Sequence, residues 1–342
     1  MTRKLLTLLF FLSTWGVSAA PVATLVSLEG DVTVSRSGLV IPSEKVAEGF
    51  LLEAFDTVST GTTGRADVRL AGLGLSGVVR LDADTSLYLE LTSSKKEQTA
   101  GVELLNGSVT VKLSAVVGAS TLEVRTEVGV FGGTGPSFRV VGSPVGDVLV
   151  TCSSGKVVCR VDNRTVYAEP GSVVEALALD QRIQTYAANA STIDSYESTW
   201  VRQRKQLFRD QSAVVFRALA SRYQLQGGLF QRAWDRVQRD SPNDAGATAN
   251  LRRAASGLER SLFRIQALRK LLDEGVLSPS VELSRGYAAK DFFRQATLDE
   301  ALWQPRLLLA RGYYRTLAER NGGVFPRAAD GSGVTWDSDY FQ

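Results

Sequence analysis

A change in the spacing of apolar residues near Ser191 constrains this chain more than any other feature. From Ala23 to Glu175 apolar side chains fall at every second position, in short Val-rich runs punctuated by glycine. Asp31–Ser35, Ala66–Leu70, Val78–Leu81, Ser86–Leu91, Ser108–Leu113, Thr121–Thr126 and Asp147–Val150 are the clearest. A period of two turns one face of each run to a core and the other outward, which describes β-strands. Gly30, Gly64, Gly77, Gly107, Gly155 and Gly171 sit between these runs or at their starts, where turns need positive φ or close backbone approach. The expectation is an all-β domain over residues 23–180, built as a sandwich, a jelly roll or a β-helical coil.

Beyond Ser191 the spacing becomes three and four. Ser191-Thr-Ile-Asp194 has the form of a capping box with Ser191 as N-cap, followed by Ile193, Tyr196, Trp200, Leu207, Val214, Val215 and Leu219. This helix is expected to stop at Gly227-Gly228, with Leu229, Phe230, Trp234 and Val237 forming a shorter piece that ends at Ser241-Pro242. Leu251, Ala255, Leu258, Leu262, Ile265, Leu268 and Leu272 make the cleanest stripe, with Gly275 as its stop. Thr297-Leu-Asp-Glu300 reads as a second capping box, opening a helix toward Asn321 that kinks or restarts at Pro305. The stripes predict an all-α helical bundle or hairpin over residues 190–322. Residues 323–342 form a C-terminal tail, loop-like in composition, whose Trp336, Tyr340 and Phe341 are candidates to fold back on the body.

Residues 1–19 read as a signal peptide. Arg3 and Lys4 precede an apolar run of eight, Leu5–Leu12, and Val17 and Ala19 occupy positions −3 and −1 of a cleavage site. Eight residues fall far short of the roughly 20 that span a bilayer. No Cys stands near the cleavage site to take a lipid, and no later run is long enough for a membrane helix. The expected mature chain is exported to the periplasm or cell surface, with no membrane insertion after cleavage.

Missing residue types limit the chemistry. There is no His, and there are only two Cys. Ser–His–Asp and Cys–His arrangements and His or four-Cys zinc sites therefore cannot be built. Asp82 and Asp84, with Asp56 or Glu90, offer the carboxylates that glycoside hydrolysis needs; the favoured reading is a turn in which they bond backbone. Gly129–Pro136 is Gly-rich but lacks the Lys and following helix of a phosphate loop. Asp31, Asp56, Asp82 and Asp84 lack the rhythm of a calcium loop. No catalytic, cofactor-binding or metal-binding residue is assigned. Cys152 and Cys159 flank six residues inside an expected strand–turn–strand, and in an oxidising compartment they are expected to pair as a disulfide.

Charge divides with the period. Residues 1–180 carry 15 Lys/Arg against 19 Asp/Glu, a net of −4, and residues 181–342 carry 24 against 17, a net of +7. That asymmetry points either to an acidic partner or to a solvated basic helix face. Export sets nucleic acid aside. Arg beside aromatic residues is the composition of interface hot spots; Arg311, Tyr313, Tyr314 and Arg315 form the densest cluster, and Arg217, Arg222 and Tyr223 a second. The alternative is that these Tyr rings cover the bundle core while the Arg residues face water.

A series of small blocks in the β half occurs in a recognisable order. Glu29-Gly-Asp-Val-Thr-Val34 leads, followed by Gly49, Asp56-Thr-Val-Ser-Thr-Gly61 and Gly64-Arg-Ala66. Val79-Arg-Leu-Asp-Ala-Asp-Thr85 and Gly101–Val109 follow, then Val124-Arg-Thr126, Gly133-Thr134 and Phe138-Arg-Val140, with Gly155-Lys-Val157 and Pro170-Gly171 closing the series. Together these resemble the FecR-domain family over about residues 25–178, with an extra Gly135-Pro136 in the Gly-Thr-x-Phe block. The best-known members of that family are membrane-anchored signal transducers coupling an outer-membrane receptor to a sigma factor. Here a signal peptide takes the place of the anchor, so the resemblance implies a free-standing exported FecR-domain protein. The leading expectation is a non-enzymatic envelope protein that binds another envelope protein or a glycan. The alternatives are a carboxylate-based glycan-processing enzyme and a periplasmic sensory component working with a separate membrane partner.

Overall fold

The computed structural model describes residues 22–320 apart from 37–38, 54–55, 73–74, 91–98, 117–120, 134–136, 144–145, 179–180 and 241. The signal peptide and the C-terminal tail lie outside the described residues.

The β half contains β1 (Ala23–Glu29), β2 (Val32–Arg36), β3 (Leu39–Val40), β4 (Leu51–Leu52), β5 (Thr57–Thr60), β6 (Arg65–Gly72), β7 (Leu75–Leu81), β8 (Ser86–Glu90) and β9 (Thr99–Asn106). It continues with β10 (Ser108–Val116), β11 (Thr121–Arg125), β12 (Val130–Gly133), β13 (Ser137–Gly142), β14 (Val148–Ser154), β15 (Val157–Val161), β16 (Arg164–Ala168), β17 (Ser172–Leu177) and β18 (Arg182–Ala187). Each alternating run named above overlaps one of these strands, Leu91 lying outside the described residues.

Two nine-stranded sheets result. The first runs β18-β17-β14-β13-β10-β7-β6-β1-β4 and the second β16-β15-β12-β11-β9-β8-β5-β2-β3. From β6 onward the chain mostly lays a hairpin in one sheet and crosses to lay the next in the other. The inward residues of both sheets, among them Leu25, Val34, Val58, Val79, Leu87, Val111, Val124, Phe131, Val150 and Val174, merge in one core. At the centre the chain passes from β9 in the second sheet to β10 in the first and back to β11. β9 and β11 therefore run parallel, Val102 beside Val124. The architecture is a sandwich with one β-helical coil inside it, combining two of the three expected forms.

Glycine acts at two of the crossings in particular. Gly107 has φ +84°, and an added Cβ would lie 2.4 Å from Thr85 Oγ1. Gly64 closes on Asp31, whose carbonyl oxygen would lie 2.2 Å from such a Cβ.

Four helices follow: α1 (Ile193–Asp210), α2 (Ser212–Asp240), α3 (Ala245–Asp273) and α4 (Ala289–Arg320). The short strands β19 (Glu282–Ser284) and β20 (Tyr287–Ala288) join the last two. α1 lies on the outer face of the first sheet, where Trp200 packs with Val141, Leu149 and Val173. α2, α3 and α4 form a bundle whose core includes Tyr88 and Leu105 from the outer face of the second sheet. Helices thus cover part of each outer face of the sandwich.

Four helix boundaries differ from the sequence expectation. Ser191 caps nothing; Asn189 caps a short 3-10 turn by accepting from the Ser191 amide, and the helix begins two residues after Ser191. The first break falls at Gln211 and not at Gly227-Gly228. Gly227 sits in mid-helix against Trp303, where a Cβ would lie 2.5 Å from the ring, so this glycine serves close helix packing. Thr297 lies inside α4 and returns its hydroxyl to the Phe293 carbonyl at 3.0 Å. α4 also runs through Pro305 without restarting, the lost amide donor being tolerated on an exposed face. The α3 stripe and its stop agree with expectation: Gly275 has φ +69°, and the Val276 amide returns to the Leu271 carbonyl at 2.8 Å.

Candidate functional site

The distinctive chemistry of this molecule lies where the helices meet the sandwich. Acidic residues projecting outward from strands and turns meet arginines of the helices. On the second sheet, Val102 and Leu104 of β9 point into the core, so Glu103 and Leu105 point out. Glu103 receives Arg260 of α3 at 2.8 Å and the Ser256 hydroxyl at 3.0 Å. Glu127, in the turn between β11 and β12, is held by Arg264 of α3 at 2.5 Å and by Arg222 of α2. Burial would raise the Glu127 carboxyl, but the two guanidinium groups outweigh it and hold the pKa near 2, at about 2. Arg264 also donates to the Ser143 carbonyl at 3.1 Å.

The first sheet repeats the pattern with α1. Arg204 reaches Asp147 at 3.2 Å and Glu175 at 3.3 Å. The Tyr196 hydroxyl donates to the other oxygen of Glu175 at 2.7 Å. Here one arrangement is reversed: Arg139 of β13 is the cation, bridging Glu197 of α1 at 2.8 Å and Asp82. The charge asymmetry of the sequence is therefore used within the chain. Acid on the β half and base on the helical half pair across the junction.

Within the bundle Arg311 of α4 binds Glu259 of α3 at 2.5 Å, with its guanidinium 5.6 Å from the centre of the Tyr88 ring. Burial opposes the charge on Arg311, but Glu259 outweighs it and leaves the guanidinium more firmly protonated. Such buried pairs contribute little net stability over an apolar pair, yet losing one partner is expensive. They fix how the elements register.

These placements decide several sequence candidates. Arg311 is 9% exposed and Tyr314 1%, and Tyr223 is buried as well, its ring 5.6 Å from Phe292. The hot-spot reading of those residues is corrected: their aromatic neighbours fill the bundle and Arg311 and Arg222 face carboxylates of the same chain. Tyr313 stacks on Trp234 at 6.1 Å. Arg217 is exposed, donating to the Glu282 carbonyl at 2.8 Å. The Arg315 side chain lies outside the described residues.

The acidic candidates are dispersed. Asp56 is buried beneath Arg36, which bonds it at 2.7 Å, and accepts the Glu53 amide at 2.9 Å. Asp82 accepts from Ser108 at 2.9 Å and from Arg139. Asp84, at φ +52° in the turn, pairs with Lys270 of α3 at 3.1 Å. Residues 83–84 form the expected turn, but the carboxylates of Asp82 and Asp84 bond side chains and not backbone. Neighbouring in sequence, these carboxylates serve different cations.

The hairpin expected for the two cysteines is also corrected. β14 belongs to the first sheet and β15 to the second, so Gly155-Lys156 is a crossing between sheets. Cys152 lies opposite Phe138, and Cys159 opposite Phe131 and Val166. Both are free thiols facing the core between the sheets. Burial pushes the Cys152 thiol up and the Cys159 thiol up to about 12.

Sequence reasoning did not single out Glu103, Glu127 or Glu175. One signal was present: Tyr88, Leu105, Val141 and Leu149 are apolar at outward positions of strands. Apolar residues on both faces of a strand mean that both faces are covered.

Residues 56–158 match the family model described as FecR protein. Over this stretch the chain is similar to the FecR family. It begins at buried Asp56, just before β5, and ends within β15, so the FecR match includes Asp82, Glu103, Glu127 and Arg139 of the junction. No curated protein matches the chain. Among solved structures, two crystal structures of a protein assigned as an anti-sigma factor from Parabacteroides distasonis ATCC 8503 align at 17% identity, with a TM-score of 0.34. Each alignment covers 41% of this chain and 63% of the solved chain, less than two thirds of its length. A likeness of that degree carries no argument about function.

Proposed function

We propose that this chain is an exported, non-catalytic protein of the cell envelope, which binds a protein or glycan partner through its FecR domain and its helical half. The observation that carries this reading is the state of the candidate carboxylates. Asp56, Asp82 and Asp84 each face a cation of the same chain, whereas general acid–base work on a sugar requires two carboxyls flanking a substrate. The absence of His and the burial of both thiols point the same way. Export rests on the character of residues 1–19. The division into a β domain over 23–180 and a helical domain over 190–322 rests on the change of period.

The test is crosslinking of the mature chain in cells, with recovered envelope proteins identified by mass spectrometry. Specific recovery of one envelope protein, lost on deletion of either half, is the expected result. A glycan-cleaving activity abolished by Asp82→Asn with Asp84→Asn would replace this reading with the enzymatic one. N-terminal sequencing of the secreted form should begin near Ala20; a chain retaining Met1 would remove the export component.

The FecR match over residues 56–158 favours a second reading, a periplasmic sensory component that works with a separate membrane partner. Crosslinks confined to a membrane protein would select it.

A further inference from the structure

α4 is apolar on two opposite sides. One side carries Phe292, Ala296, Leu307, Ala310 and Tyr314 into the bundle core. The other carries Leu298, Leu302, Pro305 and Leu309 outward, with Leu298 57% exposed, Leu302 65% and Leu309 51%. A surface helix ordinarily keeps polar residues on its outer side, and an aligned apolar row there marks a contact surface. The spacing of four, three and four is that of the seam between two paired helices.

The two edges of the seam say what meets it. Each residue turns the helix by about 100°, so Asp299 and Arg306 lie along one edge and Ala301 and Leu308 along the other. Asp299 accepts from Gln295 at 2.8 Å and Arg306 donates to Gln231, both neutral amides. Among the described residues neither charge has an ionic partner within the chain.

We infer that α4 pairs antiparallel with α4 of a second copy through this seam, making the protein a homodimer. In a two-fold contact each residue meets its counterpart reciprocally. With the axis between Trp303 and Gln304, Leu298 meets Leu309 of the second copy and Leu302 meets Pro305. The same operation sets Asp299 beside Arg306 of the second copy, twice, and Ala301 beside Leu308. Acid faces base along one edge and apolar faces apolar along the other, so the surface is its own complement. A parallel pair would set Arg306 against Ala301 and leave the guanidinium without an acid. The ion pairs fix orientation more than strength; the leucines supply the buried apolar area.

The test is sedimentation equilibrium of the full mature chain from about 1 to about 100 μM, the range suited to a small interface. A concentration-dependent dimer is expected, and a monomer throughout would overturn the inference. Leu302→Glu combined with Leu309→Glu should raise the dissociation constant at least about a hundredfold with helical circular dichroism unchanged. A dimer of undiminished strength would place the contact elsewhere and overturn the proposal. Arg306→Asp alone sets like charges together at both ends and should weaken the dimer about tenfold. Adding Asp299→Arg restores opposite charges across the axis and should recover the affinity, which loss of the Gln231 contact alone would not allow. Failure to recover would overturn the antiparallel register.

Discussion

Arg264 of α3 stands 2.5 Å from Glu127, a residue 137 positions earlier in the chain and in a turn of the sandwich. Arg222 of α2 holds the other oxygen of the same carboxylate. One side chain thus ties two helices to the second sheet. Glu127→Gln leaves two guanidinium groups without their counter-charge and should destabilise the chain by about 3 kcal/mol. Urea unfolding at neutral pH measures this. A loss below about 0.5 kcal/mol would mean that the carboxylate behaves as an ordinary surface group.

The same carboxylate sets an acid limit. Its folded pKa of about 2 lies below the ordinary glutamate value of 4.5, so the unfolded state binds the proton first as pH falls. The stabilisation is complete above about 4.5 and is lost progressively down to about 2. The full shift corresponds to roughly 3 kcal/mol. Thermal melts from pH 5 to pH 2 should show wild type losing this increment while Glu127→Gln, already without it, declines less. Parallel declines would contradict the assignment.

Arg311→Glu places a second carboxylate against Glu259 in the interior of the bundle. The expected cost is about 3–5 kcal/mol, read as a lower thermal midpoint. Arg217→Glu, on an exposed position, should cost only about 0.5 kcal/mol. Similar behaviour of the two variants would remove the distinction between these arginines.

Cys159 needs its thiolate to react, and burial places that form far above neutral pH. Iodoacetamide at pH 8 should therefore leave both cysteines of the folded, non-reduced chain unmodified and alkylate both in denaturant. Failure to alkylate after unfolding, without reductant, would show that the two sulfurs are joined.

Gly227→Ala and Gly228→Ala should have opposite signs. The first drives a Cβ to 2.5 Å from the Trp303 ring and should cost about 1–3 kcal/mol by overpacking. The nearest atom to a Cβ at Gly228 is 3.5 Å away, at the end of the Arg232 side chain. There the better helix propensity of Ala should stabilise by up to about 1 kcal/mol. Chemical denaturation of the two variants side by side is sufficient.

The strands were legible because their core faces alternate, and the α3 stripe because Leu251, Leu258 and Leu268 keep helical spacing up to a glycine stop. Local signals misled where distant contacts decide. Gly227 reads as a helix breaker until Trp303 is seen against it. Cys152 and Cys159 read as hairpin partners because nothing nearby tells a turn within one sheet from a crossing between two. Arg311 reads as a surface residue, and Tyr314 as either surface or core, because the sequence does not show which side of α4 meets Glu259. The junction itself was half visible, in the opposite charges of the two halves.

The order of strands in the two sheets bears on how the chain assembles in time. Each new hairpin joins an edge made by strands that precede it by a short stretch of sequence, so pairing can advance step by step from an early nucleus at a low cost in loop closure. The contacts between helices and sandwich are different: Glu127 with Arg264, Glu103 with Ser256 and Asp84 with Lys270 join residues 137, 153 and 186 positions apart. Loop-closure cost predicts that those closures come last, onto a surface already formed. Unfolding by dilute denaturant should begin there, with α3 lifting from the second sheet before any strand separates.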